Sequence, residues 1–225
     1  MGLNKSTGNM YEFVTHTWNA IKGECFHGCS YCYMKRWGEQ KPVRLDSKEF
    51  NTDLGSGNFI FVGSSCDMFS TDIQADWINK TLEHCSKFDN KYLFQSKNPG
   101  KMNMWLRLAN MRGQIDCVSC TTIETNREYP EIMKNSPSPI TRANWMRVDN
   151  VLDHYVTIEP ILDFDLEEMI DIIKRCNPVQ VNIGADSGHN NLPEPSYEKV
   201  IQLIEALKEF TTISKKKNLA RLYKP

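Results

Sequence analysis

The stretch that decides the fold is E-C-F-H-G-C-S-Y-C-Y, residues 24–33, in which Cys25, Cys29 and Cys32 follow the pattern C-x3-C-x2-C. Three thiolates are one fewer than the four that hold an ordinary iron–sulfur cluster or a closed structural zinc site. A cluster held by three cysteines leaves one iron free to bind another molecule. The spacing therefore favours a metal centre with one open coordination position.

The composition is that of an ordinary globular protein. The 225 residues are 40% apolar and 24% charged, with a formal net charge of −1. This length is enough for one sizeable domain or two small ones, and a single domain over residues 1–225 is expected. The small net charge predicts no general attraction to nucleic acid or membrane, although a local groove could still be basic. No apolar run approaches the ~20 residues that a membrane span needs, and no apolar signal core is present. We therefore expect a cytoplasmic protein without membrane attachment, whose cysteines are thiols or metal ligands.

Short apolar runs typical of strands alternate along the chain with amphipathic runs typical of helices. The predicted strands are residues 12–19, 58–63, 92–95, 115–122, 155–159 and 179–184, and the predicted helices are residues 33–37, 72–88, 99–112, 140–152, 165–176 and 195–210. This alternation predicts an α/β fold with a parallel sheet and a core in about residues 12–210. The pattern leaves two alternatives open, an incomplete barrel and an open doubly wound sheet.

Polar residues follow the predicted strands at their carboxyl ends, where parallel β/α folds carry their chemistry. They are residues 63–67, 96–98, 121–126, 159 and 186–189, and the cysteine loop follows the first strand on the same side. Because these ends meet at one edge of a parallel sheet, we expect all the polar clusters to surround one opening there, which we name the mouth.

At these residues the chain resembles the radical S-adenosylmethionine (SAM) enzymes and, more narrowly, an uncharacterised phage-associated radical SAM family. The matching features are the cysteine spacing with Tyr31 before its last cysteine, T-W-N at 17–19, I-E-P at 158–160 and N-I-G-A-D-S-G at 182–188. The resemblance implies a partial (β/α)6 TIM-like barrel of the radical SAM type, with a [4Fe-4S] cluster on Cys25, Cys29 and Cys32. It also implies reductive cleavage of S-adenosyl-L-methionine to a 5′-deoxyadenosyl radical, which abstracts hydrogen from a substrate.

The same resemblance places part of the SAM site after the second predicted strand. Gly63, Ser64 and Ser65 occupy the position of the glycine-rich motif that holds the SAM amino group in the superfamily. The sequence here is G-S-S, whereas G-G-E is common in the superfamily. Backbone carbonyls and hydroxyls could still hold the amino group, so these three residues are expected to bind SAM.

Further SAM contacts are expected from other strand ends. Tyr31 would lie near the adenine, and Thr122 and Glu124 fall where family members contact ribose or methionine. Lys97 is an inference from charge, because its ammonium could pair with the SAM carboxylate. Glu159 is expected to bind SAM or substrate, or alternatively to cap a neighbouring loop.

The cysteines outside the loop carry different expectations. Cys66 follows the second predicted strand and is the candidate catalytic residue, because some radical SAM repair enzymes use a cysteine to return a hydrogen atom to the product radical. A packed loop thiol is the alternative for Cys66. Cys117 and Cys120 lie three apart on a predicted strand, so they should point to opposite faces as packed thiols.

Aromatic and basic residues give little indication of a nucleic-acid surface. The tryptophans on predicted helices, Trp37, Trp77, Trp105 and Trp145, are expected to pack. The basic run at residues 215–224 is expected to be a short solvated C-terminal tail, with a phosphate-contacting arm as the alternative.

The substrate stays open at this stage. Likeness to DNA-lesion-repair radical SAM enzymes implies a nucleobase, nucleoside or nucleic acid, which would be modified or repaired, and a peptide or small molecule is the alternative. An electron donor such as flavodoxin or ferredoxin is also implied. A competing class is a zinc-stabilised Cys3His binding protein without redox chemistry, with His27 or His16 as the fourth ligand. A third alternative is a family member that holds the cluster but catalyses nothing.

Overall fold

A largely parallel sheet of eight strands lies at the centre of the molecule, which the computed structural model describes over residues 2–147 and 151–223. Within these ranges the strands are β1 (Asn4–Lys5), β2 (His16–Trp18), β3 (Ile21–Lys22), β4 (Arg44–Leu45), β5 (Phe59–Val62), β6 (Lys91–Gln95), β7 (Asp116–Thr122), β8 (Asp153–Ile158), β9 (Gln180–Ile183) and β10 (Thr212–Lys215). The sheet order is β1-β2-β5-β6-β7-β8-β9-β10. Among the strands of the described residues, only β1 runs antiparallel to its neighbour in this sheet, and β3 and β4 form a separate antiparallel pair.

Helices connect the parallel strands. They are α1 (Ala75–Cys85), α2 (Pro99–Met111), α3 (Pro130–Met133), α4 (Pro139–Arg147), α5 (Leu166–Arg175) and α6 (Tyr197–Lys208), with 3-10 helices at Tyr33–Trp37, Ser47–Asn51 and Lys217–Leu222. Helix α5 shows why these segments are helical, because Met169, Ile172 and Ile173 recur at helical spacing and are all buried. The predicted helix 140–152 corresponds to α4, and its residues 148–150 lie outside the described residues. None of the described helices has the length and apolar character that a membrane crossing requires.

The strand order decides between the two sheet types that the sequence leaves open. From β2 through β5 to β10, each parallel strand lies beside the one that precedes it in the chain. A doubly wound sheet instead reverses its order at a switch point, so that alternative is wrong. Because such crossovers are right-handed, successive helices stack on the same face of the sheet.

The two faces of the sheet carry different cores. The larger core lies on the helix side and includes Ile60, Val62 and Cys117. A smaller core on the opposite face includes Val118 and Cys120 and is covered by N-terminal residues around Tyr11 and Val14. Cys117 and Cys120 therefore point to opposite faces, which confirms the expectation from their spacing.

The C-terminal basic run is part of the folded core, so the prediction of a solvated tail after residue 210 is wrong. Thr212–Lys215 forms β10, which pairs in parallel with β9. The 3-10 helix that follows buries Leu219 and Leu222. These apolar residues lie among basic residues, so the local sequence pattern resembles that of a solvated charged tail. Lys224 lies outside the described residues.

Candidate active site

The loop that carries the three cysteines is closed at its base by the β3–β4 pair. The Glu24 N–H donates to the Lys41 carbonyl at 2.8 Å. A Cβ on Gly23 would lie 2.6 Å from that same carbonyl oxygen, and the φ of Gly23 is +117°. Only glycine allows this close approach, so Gly23 fixes the return point of the loop.

The cysteine loop also docks on the segment that contains α3. The Ser30 N–H donates to the Ile132 carbonyl at 2.9 Å, and the Asn135 N–H donates to the His27 carbonyl at 3.1 Å. Cys29 is buried, with its Sγ 3.4 Å from Ser136 Oγ. The middle cysteine of the motif is thereby shielded from water.

Cys66 lies against the first cysteine of the motif. A hydrogen bond with Cys66 is the main cause that lowers the pKa of Cys25 to about 6. The same contact, together with burial, raises the pKa of Cys66. The contact therefore favours the thiolate on Cys25 and the thiol on Cys66, and a thiolate is the form of cysteine that binds metals.

His27, inside the cysteine loop, ties it to the ends of β5 and β6. Its Nε2 lies 2.9 Å from Asp67 Oδ2, which also accepts hydrogen bonds of 2.9 Å from Ser96 Oγ and the Lys97 N–H. Burial would raise the pKa of Asp67, but the contacts with His27 and backbone N–H groups hold it below its usual value. This contact occupies one ring nitrogen of His27, a candidate ligand of the alternative zinc site.

The three cysteines share one loop, but they do not form a ready-made metal-binding geometry. In residues 2–147 and 151–223, no three or more Cys, His, Asp or Glu side chains are grouped so that they could hold a metal ion. The donor chemistry nevertheless suits an iron–sulfur cluster, because three free thiols, one with a pKa lowered to about 6, are held in one partly buried loop.

A buried ionic cluster lies beside the cysteine loop, at the carboxyl ends of β6 and β7. Glu124 Oε1 accepts hydrogen bonds from Lys97 Nζ at 2.9 Å and from the Tyr31 hydroxyl, and Glu124 Oε2 lies 2.8 Å from Arg142 Nη2. Lys97 Nζ also donates to the Tyr31 hydroxyl oxygen at 2.7 Å. The structure thus brings Tyr31, Lys97 and Glu124 together, and with ionised Glu124 the cluster has a net charge of +1.

Arg142 is the member of this cluster that the sequence analysis missed. It lies on α4, and its guanidinium also donates to the Thr122 carbonyl. The side chain is fully buried, and within residues 2–147 and 151–223 its Nε has no hydrogen-bond partner. An arginine is ordinarily exposed to solvent, so the sequence offers no signal for this placement.

The Thr122 side chain belongs to a second hydrogen-bond network, which also includes side chains of β6 and β8. Its Oγ1 accepts a hydrogen bond of 3.0 Å from Gln95 Nε2. The Tyr11 hydroxyl then donates to Gln95 Oε1 at 2.8 Å and lies 2.8 Å from Thr157 Oγ1. Thr122 therefore contacts the ionic cluster through its carbonyl and the inner face of the sheet through its hydroxyl.

The turn after β5 is held in place by Asn19. Asn19 Oδ1 accepts hydrogen bonds from Ser64 Oγ at 3.2 Å and from the Ser65 N–H at 3.0 Å. Gly63 has a φ of +79°, which glycine adopts without strain. The Tyr33 hydroxyl donates to the Ser64 carbonyl at 2.9 Å and so links this turn to the cysteine loop. Gly63, Ser64 and Ser65 therefore border that loop.

Glu159 is placed in a different environment from the other predicted cofactor residues. Its Oε1 accepts from Asn9 Nδ2 at 2.7 Å and from Asn218 Nδ2 at 3.0 Å, and its Oε2 pairs with Lys216 Nζ. Lys216 Nζ also lies 4.4 Å from the centre of the Tyr11 ring. Asn9 follows β1, and Lys216 and Asn218 follow β10, so Glu159 links the chain segments next to the two edge strands of the sheet.

The same fold occurs in solved structures of spore photoproduct lyase. A mutant of that protein aligns with a TM-score of 0.66 at 11% identity, over 93% of this chain and 78% of that chain. A double mutant with bound AdoMet and dinucleoside spore photoproduct aligns with a TM-score of 0.57 at 11% identity, over 93% and 66% of the two chains. A complex with dinucleoside spore photoproduct aligns with a TM-score of 0.57 at 12% identity, over 91% and 64%.

These alignments establish the fold and no more. No protein-family model matches the chain, and no curated protein matches its sequence. At 11–12% identity, the likeness shows a shared α/β architecture around a largely parallel sheet.

Proposed function

We propose that this protein is a radical SAM enzyme, with a [4Fe-4S] cluster on Cys25, Cys29 and Cys32. One observation carries the proposal: the C-x3-C-x2-C loop lies beside a buried ionic cluster in a fold shared with spore photoproduct lyase. Spore photoproduct lyase is a radical SAM enzyme, and one of its structures holds AdoMet. The resemblance to a phage-associated family and the cytoplasmic location stay predictions.

The sheet is best interpreted as a partial (β/α)6 barrel. Its parallel strands follow chain order, which is the arrangement of a barrel. Side chains link the two ends of the sheet, since Glu159 pairs with Lys216 and contacts Asn9. The inner face is filled by Tyr11 and its neighbours, as side chains fill the interior of small barrels. In such a barrel, the residues proposed below to bind SAM and the cluster lie around the mouth, at the carboxyl ends of the strands.

Different residues of the mouth are proposed to hold SAM and the cluster. Cys25, Cys29 and Cys32 would hold the cluster, which when bound would supply the one-electron chemistry for reductive cleavage of SAM. Lys97 offers an ammonium to the SAM carboxylate, because the Lys97–Glu124–Arg142 cluster carries one uncompensated positive charge. Glu124 and Arg142 fix the position of Lys97. Burial of these groups excludes water, so the ion pairs that position Lys97 are weakly screened.

The other SAM contacts come from the residues next to this ionic cluster. Tyr31 is hydrogen-bonded to Lys97 and Glu124 and is proposed to contact the adenine of SAM. Thr122 faces the ribose or methionine region, and the Gly63–Ser65 turn offers backbone groups and the Ser65 hydroxyl to the amino group. Glu159 is left out of the SAM site, since its oxygens already accept from Asn9, Asn218 and Lys216.

Cys66 is proposed as the hydrogen-atom donor. Its raised pKa keeps the sulfur protonated at neutral pH, so that an S–H bond is available. The contact with Cys25 places that bond beside the loop in which the radical would form. Transfer of the hydrogen atom to a carbon-centred product radical breaks the S–H bond, forms a C–H bond and leaves a thiyl radical. One electron from the proposed electron donor and one proton from solvent then restore the thiol.

The substrate is proposed to be a nucleobase, nucleoside or nucleic acid that is modified or repaired. Support comes from the shared fold, because three of the neighbouring structures hold dinucleoside spore photoproduct. A peptide or small molecule is the alternative substrate. A flavodoxin or ferredoxin is proposed as the electron donor.

The test is anaerobic reconstitution with iron and sulfide, followed by incubation with SAM and dithionite. Mass spectrometry should detect 5′-deoxyadenosine, and chemical analysis should find about four irons and four sulfides per chain. A colourless protein with one zinc would support the Cys3His alternative instead. A protein with the full cluster that forms no 5′-deoxyadenosine, with or without nucleosides and DNA, would be a non-catalytic family member.

A further inference from the structure

Aromatic side chains that follow the cysteine loop are exposed to solvent. Trp37 is 72% exposed and Tyr33 is 44% exposed. The 3-10 helix that carries them, Tyr33–Trp37, buries none of its residues. The expectation that Trp37 packs in the core is therefore wrong, because a single short 3-10 turn has no apolar face to bury.

The same segment is strongly basic in a nearly neutral chain. Residues 33–44, which we name the aromatic–basic segment, contain the cations Lys35, Arg36, Lys41 and Arg44 and one carboxylate, Glu39. Four positive charges and one negative charge give it a formal charge of +3, whereas the whole chain has −1. A concentration of charge of this kind attracts polyanions locally even when the net charge does not.

The aromatic–basic segment is fixed next to the proposed active site. At its start, the Tyr33 hydroxyl donates to the Ser64 carbonyl in the proposed SAM-binding turn. At its end, Arg44 belongs to β4, which pairs with β3. The Lys41 carbonyl accepts from the Glu24 N–H, one residue before the first cysteine. The exposed side chains are therefore positioned by the loop that carries the proposed cluster.

We propose that the aromatic–basic segment is a docking surface for a single strand of DNA, whose phosphates contact the cations while an unpaired base stacks on Trp37. This inference rests on the proposed function, and it names the form of substrate that reaches the site. Surfaces that bind single strands combine backbone-tracking cations with exposed aromatic rings. The Arg36 guanidinium already lies 5.8 Å from the centre of the Tyr33 ring, so cation and ring form one platform.

The exposed indole favours a strand with unpaired bases over an acidic protein such as a flavodoxin. An acidic protein would need the cations alone, whereas the face of Trp37 offers stacking to a base that is not already stacked in a duplex. A duplex of the same sequence should therefore bind less tightly than the single strand.

The test is fluorescence anisotropy with the reconstituted protein and a labelled single-stranded oligodeoxynucleotide of about 12 nucleotides. Trp37→Ala should weaken binding about tenfold. Lys41→Ala should reduce the slope of log Kd against log salt by about 0.7, the share of one phosphate contact on a single strand. Arg107→Ala and Met111→Ala, exposed residues of α2, are the matched controls and should bind like the unchanged protein.

Three results would overturn the proposal. One is that the unchanged protein does not bind the strand, and another is that Trp37→Ala and Lys41→Ala bind it as tightly as the controls do. The third is that Trp37→Ala slows turnover driven by reduced flavodoxin but leaves strand binding intact, which would assign the surface to an acidic protein. Binding is measured without SAM or reductant, and dithionite-driven 5′-deoxyadenosine formation should be unchanged in Trp37→Ala. Failure of strand binding and failure of the radical chemistry are thereby separate observations.

Discussion

Glu124 Oε2 lies 2.8 Å from Arg142 Nη2, and both side chains are fully buried. Burial alone would raise the pKa of Glu124, but the ion pairs with Arg142 and Lys97 outweigh it and hold the pKa well below its usual range. Glu124 is therefore ionised at neutral pH, and its charge stabilises two cations at the mouth of the proposed active site. The geometry of that mouth depends on this carboxylate.

Removal of Arg142 should destabilise the fold. Arg142→Met leaves the buried carboxylate with Lys97 as its remaining ion-pair partner, and breaking a buried ion pair from one side costs about 3–5 kcal/mol. Urea unfolding followed by circular dichroism measures the change. Arg107→Met, at an exposed position of α2, should stay within about 0.5 kcal/mol of the unchanged protein. Equal urea midpoints for the two variants would show that the pair does not stabilise the fold.

Glu124 should also make the fold sensitive to acid. Its folded-state pKa lies below the ordinary value of 4.5, so ionised Glu124 contributes stability that is fully present above that value. The contribution is lost as the pH falls through the folded-state pKa. Between about pH 7 and pH 3, the unchanged protein should therefore lose more stability than Glu124→Gln, which cannot titrate. Urea midpoints at the two pH values give the comparison, and an equal loss in both proteins would contradict it.

The sequence predicts the parallel strands well, because a strand that is covered on both faces is a short apolar run. F-I-F-V at 59–62 is such a run, and its two faces contact different cores. Strand β10 was missed because its sequence, T-I-S-K, has one apolar residue and lies at the edge of the sheet. Edge strands need little hydrophobicity, so local pattern does not separate them from a charged tail.

The candidate site is predictable only where chain order determines position. Lys97 and Glu124 were predicted near the mouth because they follow strands, and the structure brings them within 2.9 Å. Arg142 reaches the same carboxylate from α4, and no local pattern records which turn of a helix faces a buried charge. The partners of Glu159 come from residues more than 50 positions away, Asn9 and Lys216, so its structural contacts depend on how the two ends of the sheet meet.

The ligand assignment predicts that Cys29→Ala loses the cluster and all SAM cleavage. With two thiolates of the motif left, the iron content should fall far below about four per chain after anaerobic reconstitution. Cys85→Ala is the matched control, because Cys85 is a buried thiol of α1 that lies in the helix-side core. The control should keep its iron. Full iron content in Cys29→Ala would show that Cys29 is not a ligand.

The proposed role of Cys66 predicts a change in product and not in the cluster. Cys66→Ala should retain its iron and form 5′-deoxyadenosine, while mass spectrometry should find altered products from the substrate radical, which lacks its hydrogen donor. Cys66→Ser should behave like Cys66→Ala, because an O–H bond is too strong to donate a hydrogen atom to a carbon radical. A product profile identical to that of the unchanged protein would remove Cys66 from the mechanism.

The contacts of Glu159 predict that it acts on stability and not on SAM binding. Glu159→Ala leaves Lys216 in a nearly buried position without its carboxylate partner and removes acceptors from Asn9 and Asn218, which should cost about 2 kcal/mol or more in urea unfolding. Gly184→Ala tests the same bridge from the opposite side, since its Cβ would lie 2.7 Å from Glu159 Oε1, and crowding of this kind costs about 1–3 kcal/mol. Both variants should keep the KM for SAM of the unchanged protein. A raised KM with unchanged stability in Glu159→Ala would instead place this carboxylate in the SAM site.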